Sequence, residues 1–403
     1  MHDRVFQLSG SCNNYPWGKK GQQSLAARLC KRTVEDFEIR DDEPYSEMWF
    51  GDYPDYPARV LKTGRPLKDV LDENKERLLG KKVIDTLDGQ LPFLPKILSI
   101  AEALPLQIHP DKDLAAALHA RDPAAFTDPN HKPEIAVALS TFEAFAGFRP
   151  LSEIEPLFRL PALRPFVPAG TTAWSDGTLR EATRNILRAD DGAVRRAQDA
   201  LLSAPRAALG PAGYVRDLLP RLRRQHGPQD PGALAALACA NFLVLQPGDA
   251  LYVPADGIHA YLAGDVVECM ARSNNVLSAG FCPRADRDGV DLFAGALTFR
   301  AHSRADVVLP PAATPRSRTG RTRAYRPPAG EFDVLRAALG PGEADEIAAS
   351  DGPAVLIVTS GCGRMEADGG RFELAEGAIY FVAPGVEVRW ETDAGMEVFM
   401  AVA

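Results

Sequence analysis

Two short stretches more than a hundred residues apart, Gln107-Ile-His109-Pro110 and Pro254-Ala-Asp-Gly-Ile-His259-Ala-Tyr261, each offer a metal-binding side chain in a β-like, proline-bounded setting. In an extended strand residues two apart face the same way, so Gln107 and His109 can reach one ion while Ile108 packs behind them. Pro110 ends that strand. Glu134 follows Lys132-Pro133, whose rigid ring fixes its entry into the apolar run Ile135 to Leu139, and His259 follows a glycine turn that could present it at a barrel mouth. Two imidazoles, one carboxylate and one amide oxygen suit Zn²⁺ and leave room for water or substrate, while the same donors also accept Mn²⁺, Fe²⁺ or Co²⁺. His131 reads as an exposed loop residue, and His2, His119, His226 and His302 receive no role.

These residues need a sheet to hold them, and the chain is long enough to build one. With 403 residues and 45% hydrophobic content it is expected to fold as a soluble globular protein of two or three domains. A net charge of −8 argues against a nucleic-acid or anionic-membrane partner held by bulk charge, so an anionic ligand needs a local cationic pocket. No signal-peptide or membrane-spanning run is present, which points to the cytoplasm. The six cysteines are scattered without a C-x-x-C pair, so neither a disulfide framework nor a thiolate zinc site is indicated.

Residues 1–150 read as short β-runs broken by turns, with helical periodicity only near Val70 and from Leu114 to His119. From 151 to about 240 the texture changes to Ala, Leu and Arg at three- and four-residue spacing, which predicts a helical insertion. Strand character returns over 241–300, and 301–403 begin with a Pro/Arg-rich exposed linker before further strands. A weak repeat joins the second and last sheet regions. Leu245-Gln-Pro-Gly248-Asp-Ala-Leu-Tyr-Val253 aligns on Leu374-Ala-Glu-Gly377-Ala-Ile-Tyr-Phe-Val382 without gaps, each a glycine turn feeding an alternating strand. The same offset sets His259 against Val388, so two related β-sandwiches are expected and only the first can hold a histidine metal site. The fold class is therefore mainly β with a helical insertion.

Four further stretches, Leu106-Gln-Ile-His-Pro-Asp-Lys112, Asn130-His-Lys-Pro-Glu134, Phe142-Glu-Ala-Phe-Ala-Gly-Phe-Arg-Pro150 and Gly264-Asp-Val-Val-Glu-Cys-Met-Ala271, resemble type I mannose-6-phosphate isomerases. The likeness runs nearly end to end and includes Tyr15-Pro-Trp-Gly18 and Ser46-Glu-Met-Trp-Phe-Gly51. It implies two cupin-type jelly rolls plus one α-helical domain, one Zn²⁺ per chain bound by Gln107, His109, Glu134 and His259, and a monomer acting on a hexose phosphate at the head of GDP-mannose biosynthesis. It also implies a pocket of Trp17, Glu47, Lys96, Lys132, Tyr261 and Glu268, with Arg284 where the family usually has Lys. Aldose–ketose exchange removes a C2 proton and returns one to C1 through an enediol whose oxygens become negative. Zinc and Lys132 can supply positive potential, and Glu268 can move the proton or, equally, hold Lys96 or Lys132 by an ion pair. Arg272 and Arg284 are the cations nearest the family's phosphate end, although a ligand-free surface arginine is an equal reading of Arg272.

The chain departs from that pattern at three places. Asn274 stands where the family commonly has Asp, Ser278 where it has an active-site Arg, and Pro105 where it has Ser. Losing an arginine removes a fixed positive charge, but the paired loss of an acid keeps the pocket near neutral. The alternative is therefore a metal-bearing sugar-phosphate-binding cupin with little turnover. An iron dioxygenase is disfavoured because the likeness extends beyond the metal ligands.

Overall fold

The protein is described from a computed structural model covering residues 3–87 and 89–403; His2 lies outside them. Side-chain alternation explains how its first sheet system is built. Every residue of the strand Phe93–Ile100 is buried, yet the two faces serve different cores. Phe93 and Ile97 join one apolar cluster, and Leu98 and Ile100 join another. A strand covered on both faces reads as a continuous apolar run, which is why Leu91 to Ile100 is recognisable in the sequence.

The strand His259–Ala271 is the spine of this sheet. It pairs antiparallel with Phe93–Ile100, Glu134–Ala138 and Phe142–Phe148, and touches Leu106–Ile108 through His259 and Gln107. Its pairing with Phe142–Phe148 slips between Glu143 and Ala144, a β-bulge that puts an extra residue into the spine. The bulge changes which parity faces inward. Tyr261 points into the same core as Val266, while Val267, Cys269 and Ala271 turn to the other. His259 and Glu268, nine positions apart in an alternating element, thereby look into one interior. Gly264 makes this possible, since its φ is +127° and a Cβ there would stand 2.7 Å from the Thr141 carbonyl oxygen.

Between Phe148 and Ala240 every described element is a helix. Asp176–Leu187, Asp191–Ser203 and Pro231–Cys239 start at Ser175, Asp190 and Asp230, whose side chains accept from the backbone N–H three residues on. The last helix is buried on every side. The second sheet system uses Thr322–Tyr325, Asp333–Leu339, Ala354–Ala367, Ile379–Val382 and Met396–Val402 around an interior that includes Leu356, Met365 and Trp390. A shared cluster, with Ile97 and Val267 on one side and Ile357, Phe381 and Phe399 on the other, joins the two systems. The architecture is thus mainly antiparallel sheet of jelly-roll type with several helices.

The offset between the two repeats survives in three dimensions. Ala250–Val253 and Ile379–Val382 are both strands, and the glycines ahead of them, Gly248 and Gly377, have φ of +91° and +89°. Other parts depart from the periodicity reading. Leu25–Lys31 and Gly80–Thr86 are helices too short to show a period, and Val290–Ala296, inside a stretch read as strand, is a helix that buries Phe293 and Ala294. The first strand, Val5–Ser9, lies in the second sheet system, between Ile379–Val382, which it pairs from Val5↔Val382 to Leu8↔Ile379, and the short strand Arg59–Val60. No described helix is long and apolar enough to cross a membrane.

Replacing Gly264 by Ala adds a backbone clash to the strain of its φ, roughly 1–3 kcal/mol each. Gly264→Ala should therefore lower the unfolding midpoint well below that of Gly64→Ala, where φ is +69° but nothing lies within 4 Å of the new carbon. Equal losses in thermal denaturation would show that the bulge does not depend on the missing side chain.

Candidate metal centre

His109, Glu134 and His259 are almost wholly buried, and their ligand atoms lie within 4.8 Å of one another. Each comes from a different strand or strand end, and the register brings them together: His259 is opposite Gln107, and Glu134 is opposite both Met270 and Val253. Glu134 places one oxygen 3.1 Å from His109 Nε2 and the other 3.5 Å from His259 Nε2. The opposite ring nitrogens are committed elsewhere. His109 Nδ1 is 2.7 Å from the Asn275 carbonyl and His259 Nδ1 is 2.9 Å from the Gly257 carbonyl. A carbonyl can only accept, so both Nδ1 atoms carry the proton and both Nε2 lone pairs face the centre.

A divalent cation fits this arrangement. His109 Nε2 is buried and makes no hydrogen bond, despite its closeness to Glu134, because a ring lone pair and a carboxylate oxygen both accept. Two lone pairs and a carboxylate aimed at one point without a proton between them are costly when buried and favourable around a metal ion. Gln107 lies beside them, with its amide nitrogen 3.1 Å from His259 Nε2. In that orientation it donates to the ring, and a half-turn of the amide, which leaves its shape unchanged, presents the oxygen instead.

Electrostatics favour the same occupant. His109 has its pKa pushed down to about 4, first by burial and then by Lys132, so the ring is neutral at neutral pH. His259 is also lowered, chiefly by burial. Burial pushes Glu134 up, but His109, Lys132 and His259 outweigh it and hold the group well below the usual carboxylate range. Lys132 Nζ is 3.5 Å from one Glu134 oxygen, and the Tyr261 hydroxyl donates to the other at 3.2 Å.

A second buried cluster shares this interior. Lys96 stands directly across from Glu268 in one strand pair and from Trp49 in another. Its ammonium lies 3.5 Å from Glu268, 3.6 Å from Glu47 and 4.2 Å from the centre of the Trp49 ring. Two carboxyls thus compete for one ammonium. Glu47 is further satisfied by Trp49 Nε1 and by Asn13 at 3.3 Å. Glu268 is raised to about 8, by burial first and by Glu134 next, with Lys96 opposing. A group that titrates near neutrality inside a site is suited to moving protons.

Residues 5–151 match the model of the phosphomannose isomerase type I catalytic domain. Over the whole chain the protein is 36% identical to the mannose-6-phosphate isomerase of Cryptococcus neoformans, covering 99% of that protein. The chain belongs to the type I phosphomannose isomerase family. A second relative, from Ogataea parapolymorpha, is 34% identical over 94% of this chain and 93% of its own length. Among solved structures, a mannose 6-phosphate isomerase bound with zinc and yttrium superimposes with a TM-score of 0.81 at 25% identity, covering 98% of this chain and 99% of its own.

The other positions singled out from family likeness are more dispersed. Trp17 and Arg284 line a cavity of about 720 Å³ that reaches Pro105 but contains none of the metal ligands. Arg272 lines a separate cavity of about 250 Å³; it sits 3.5 Å from Asp52 and 5.0 Å from the centre of the Tyr53 ring. The two arginines therefore do not share a cavity, and one phosphate in either would meet only one of them. Arg284 is exposed and ion-paired with Asp191, while His131 is not a free loop residue but contacts Glu331 at 2.5 Å. Ser278 is directly across from Gln107, on the opposite side from His259. Sequence reasoning passed over Asn275, which positions His109, and Trp49, which covers Lys96. Asn275 carries no signal of its own because it acts through its backbone carbonyl.

Two outcomes test the centre. His259→Ala should remove stoichiometric divalent metal in elemental analysis, and full retention would refute the ligand set. His109 has a folded-state pKa of about 4 against an ordinary 6.5, so its contribution to stability is present above 6.5 and is lost as pH falls through 4. Metal binding followed by calorimetry should accordingly persist at pH 6 and vanish on approach to pH 4; loss already near 6.5 would contradict the burial argument.

Proposed function

We propose that the protein interconverts mannose 6-phosphate and fructose 6-phosphate, with one zinc ion held by Gln107, His109, Glu134 and His259. The observation that carries this reading is the close placement of two buried clusters, one with three donors facing a common point and one with a carboxyl poised to titrate near neutral pH. Bound zinc supplies a Lewis acid that stabilises negative charge developing on the sugar oxygens.

The chain's own groups supply the rest. Glu268 takes the proton from C2, the C–H electron pair becomes the C1–C2 double bond as the C1 carbonyl pair moves onto O1, and the protonated carboxyl returns the proton to C1 as O2 becomes the carbonyl and its proton passes to O1. Lys96 holds Glu268 in place and, with Lys132, provides positive potential on the face where the oxygens become charged. The Tyr261 hydroxyl orients Glu134, and burial of all these groups keeps water from weakening their interactions. The same reading carries a monomer working in the cytoplasm on a hexose phosphate, feeding GDP-mannose biosynthesis.

Ser278 favours a second reading. Its short side chain stands beside Gln107 where relatives commonly have an arginine, so a binding protein with little turnover is the alternative. Zinc-loaded protein separates the two: the first reading predicts fructose 6-phosphate formed from mannose 6-phosphate, and the second predicts heat stabilisation by either sugar without product.

Glu268→Gln should reduce kcat by roughly 10²–10⁴ while metal content stays at one per chain. Proton removal needs the carboxylate, so activity should rise with pH through a single ionisation. A cation beside Glu134 cancels part of what raises Glu268, which puts that ionisation below about 8. An unchanged kcat in the Gln variant would remove Glu268 from the reaction.

A further inference from the structure

A phosphate dianion needs a fixed cation, and the wall of the 720 Å³ cavity offers two, Arg284 and Arg287. They differ in how they are held. Arg284 has a side chain 74% exposed, and its partner Asp191 lies on the cavity wall with Glu102 and Asp286, three carboxylates that oppose an anion and make a firmly held cation necessary. Such an exposed pair contributes little order. Arg287 is only 18% exposed. Its Nε and Nη2 donate to the Cys282 carbonyl at 3.2 and 3.0 Å, and Nη2 also donates to Asp230 at 2.7 Å. Asp230 is fully buried behind the guanidinium and does not line the cavity, so it fixes Arg287 without facing the cavity's contents. Nη1 makes no hydrogen bond to any described residue, and its two N–H groups remain available.

The loop carrying Arg287 is tied to the metal-bearing sheet. The Ser278 N–H donates to the Asp288 carboxylate at 2.7 Å, and the Asp288 N–H donates to the Ser278 carbonyl at 2.8 Å. This two-bond clasp pins the residue after Arg287 to the strand position opposite Gln107. His226 lines the same cavity with a buried Nε2 that has no hydrogen-bond partner. Trp17 lines the same cavity and offers an aromatic face suited to a sugar ring.

We propose that Arg287 is the phosphate-binding cation of this chain, reaching by way of the Ser278–Asp288 clasp the charge role left open by the small side chain at 278. This rests on the isomerase reading for its substrate but not for its binding chemistry. A pre-positioned guanidinium with its one uncommitted nitrogen, Nη1, meets a phosphate oxygen from a fixed position, whereas the exposed Arg284 contributes mainly to the rim.

The test compares Arg287→Ala, Arg287→Lys and Arg284→Ala in the zinc-loaded full chain. Arg287→Ala should raise KM for mannose 6-phosphate tenfold or more with kcat within a few-fold. The inhibition constant for inorganic phosphate should rise in parallel, and Arg287→Lys should restore part of both. Zinc content serves as the check that the site itself is intact. If Arg287→Ala does not fold, the Lys variant is read alone and should show a several-fold rise in both constants. Should the parent protein turn nothing over, calorimetry with fructose 6-phosphate and inorganic phosphate reads the same loss of affinity, so failure of the isomerase reading stays distinct. Unchanged constants in the Arg287 variants, or a larger effect from Arg284→Ala, overturn the proposal.

Discussion

A carboxylate buried to 1% exposure with two neutral imidazoles facing it is the constraint around which the first sheet system is arranged. Glu134 cannot sit in an apolar interior without positive charge, and Lys132 at 3.5 Å supplies only part of it. The remaining demand is met when a divalent cation takes the point between Glu134, His109 and His259. Each imidazole is turned toward that point by a backbone carbonyl on its far side, from Asn275 and Gly257. Holding those carbonyls still is in turn a task for the surrounding loops: Asn275 is bound through its side chain to the Asp128 and Asn130 carbonyls.

The spine strand His259–Ala271 connects this centre to the buried cluster of Lys96, Glu47 and Glu268. One metal ligand sits at its start, Tyr261 steadies another, and Glu268 lies near its end facing Lys96. A regular strand would have put His259 and Glu268 on opposite faces. The bulge and Gly264 bring them to the same one, so a backbone irregularity that weakens the ladder locally is what lets one element serve both clusters. Charge then couples them, because Glu134 is the second largest influence raising Glu268.

Much of this could be read from residue types. Alternation and proline boundaries singled out His109 and Glu134 as candidates, which the fold brings together with His259, and the return of a glycine-turn pattern after an offset foreshadowed Ala250–Val253 and Ile379–Val382 as equivalent strands. What could not be read has physical reasons. Helices of seven residues, such as Leu25–Lys31, are formed by packing and capping rather than by a visible period. The pairing of Val5–Ser9 with a strand nearly four hundred residues later depends on contacts that leave no local mark. The separation of Arg272 from Arg284 reflects loop paths, and Asn275 acts through a carbonyl that every residue possesses.

Zinc K-edge X-ray absorption on the loaded protein reaches the central claim most directly. The account predicts a shell of nitrogen and oxygen donors at about 2.0–2.1 Å with the outer-shell scattering of two imidazoles. A sulfur shell near 2.3 Å, or oxygen donors with no imidazole signature, would mean that His109, Glu134 and His259 do not converge on the metal and that the arrangement described above is wrong.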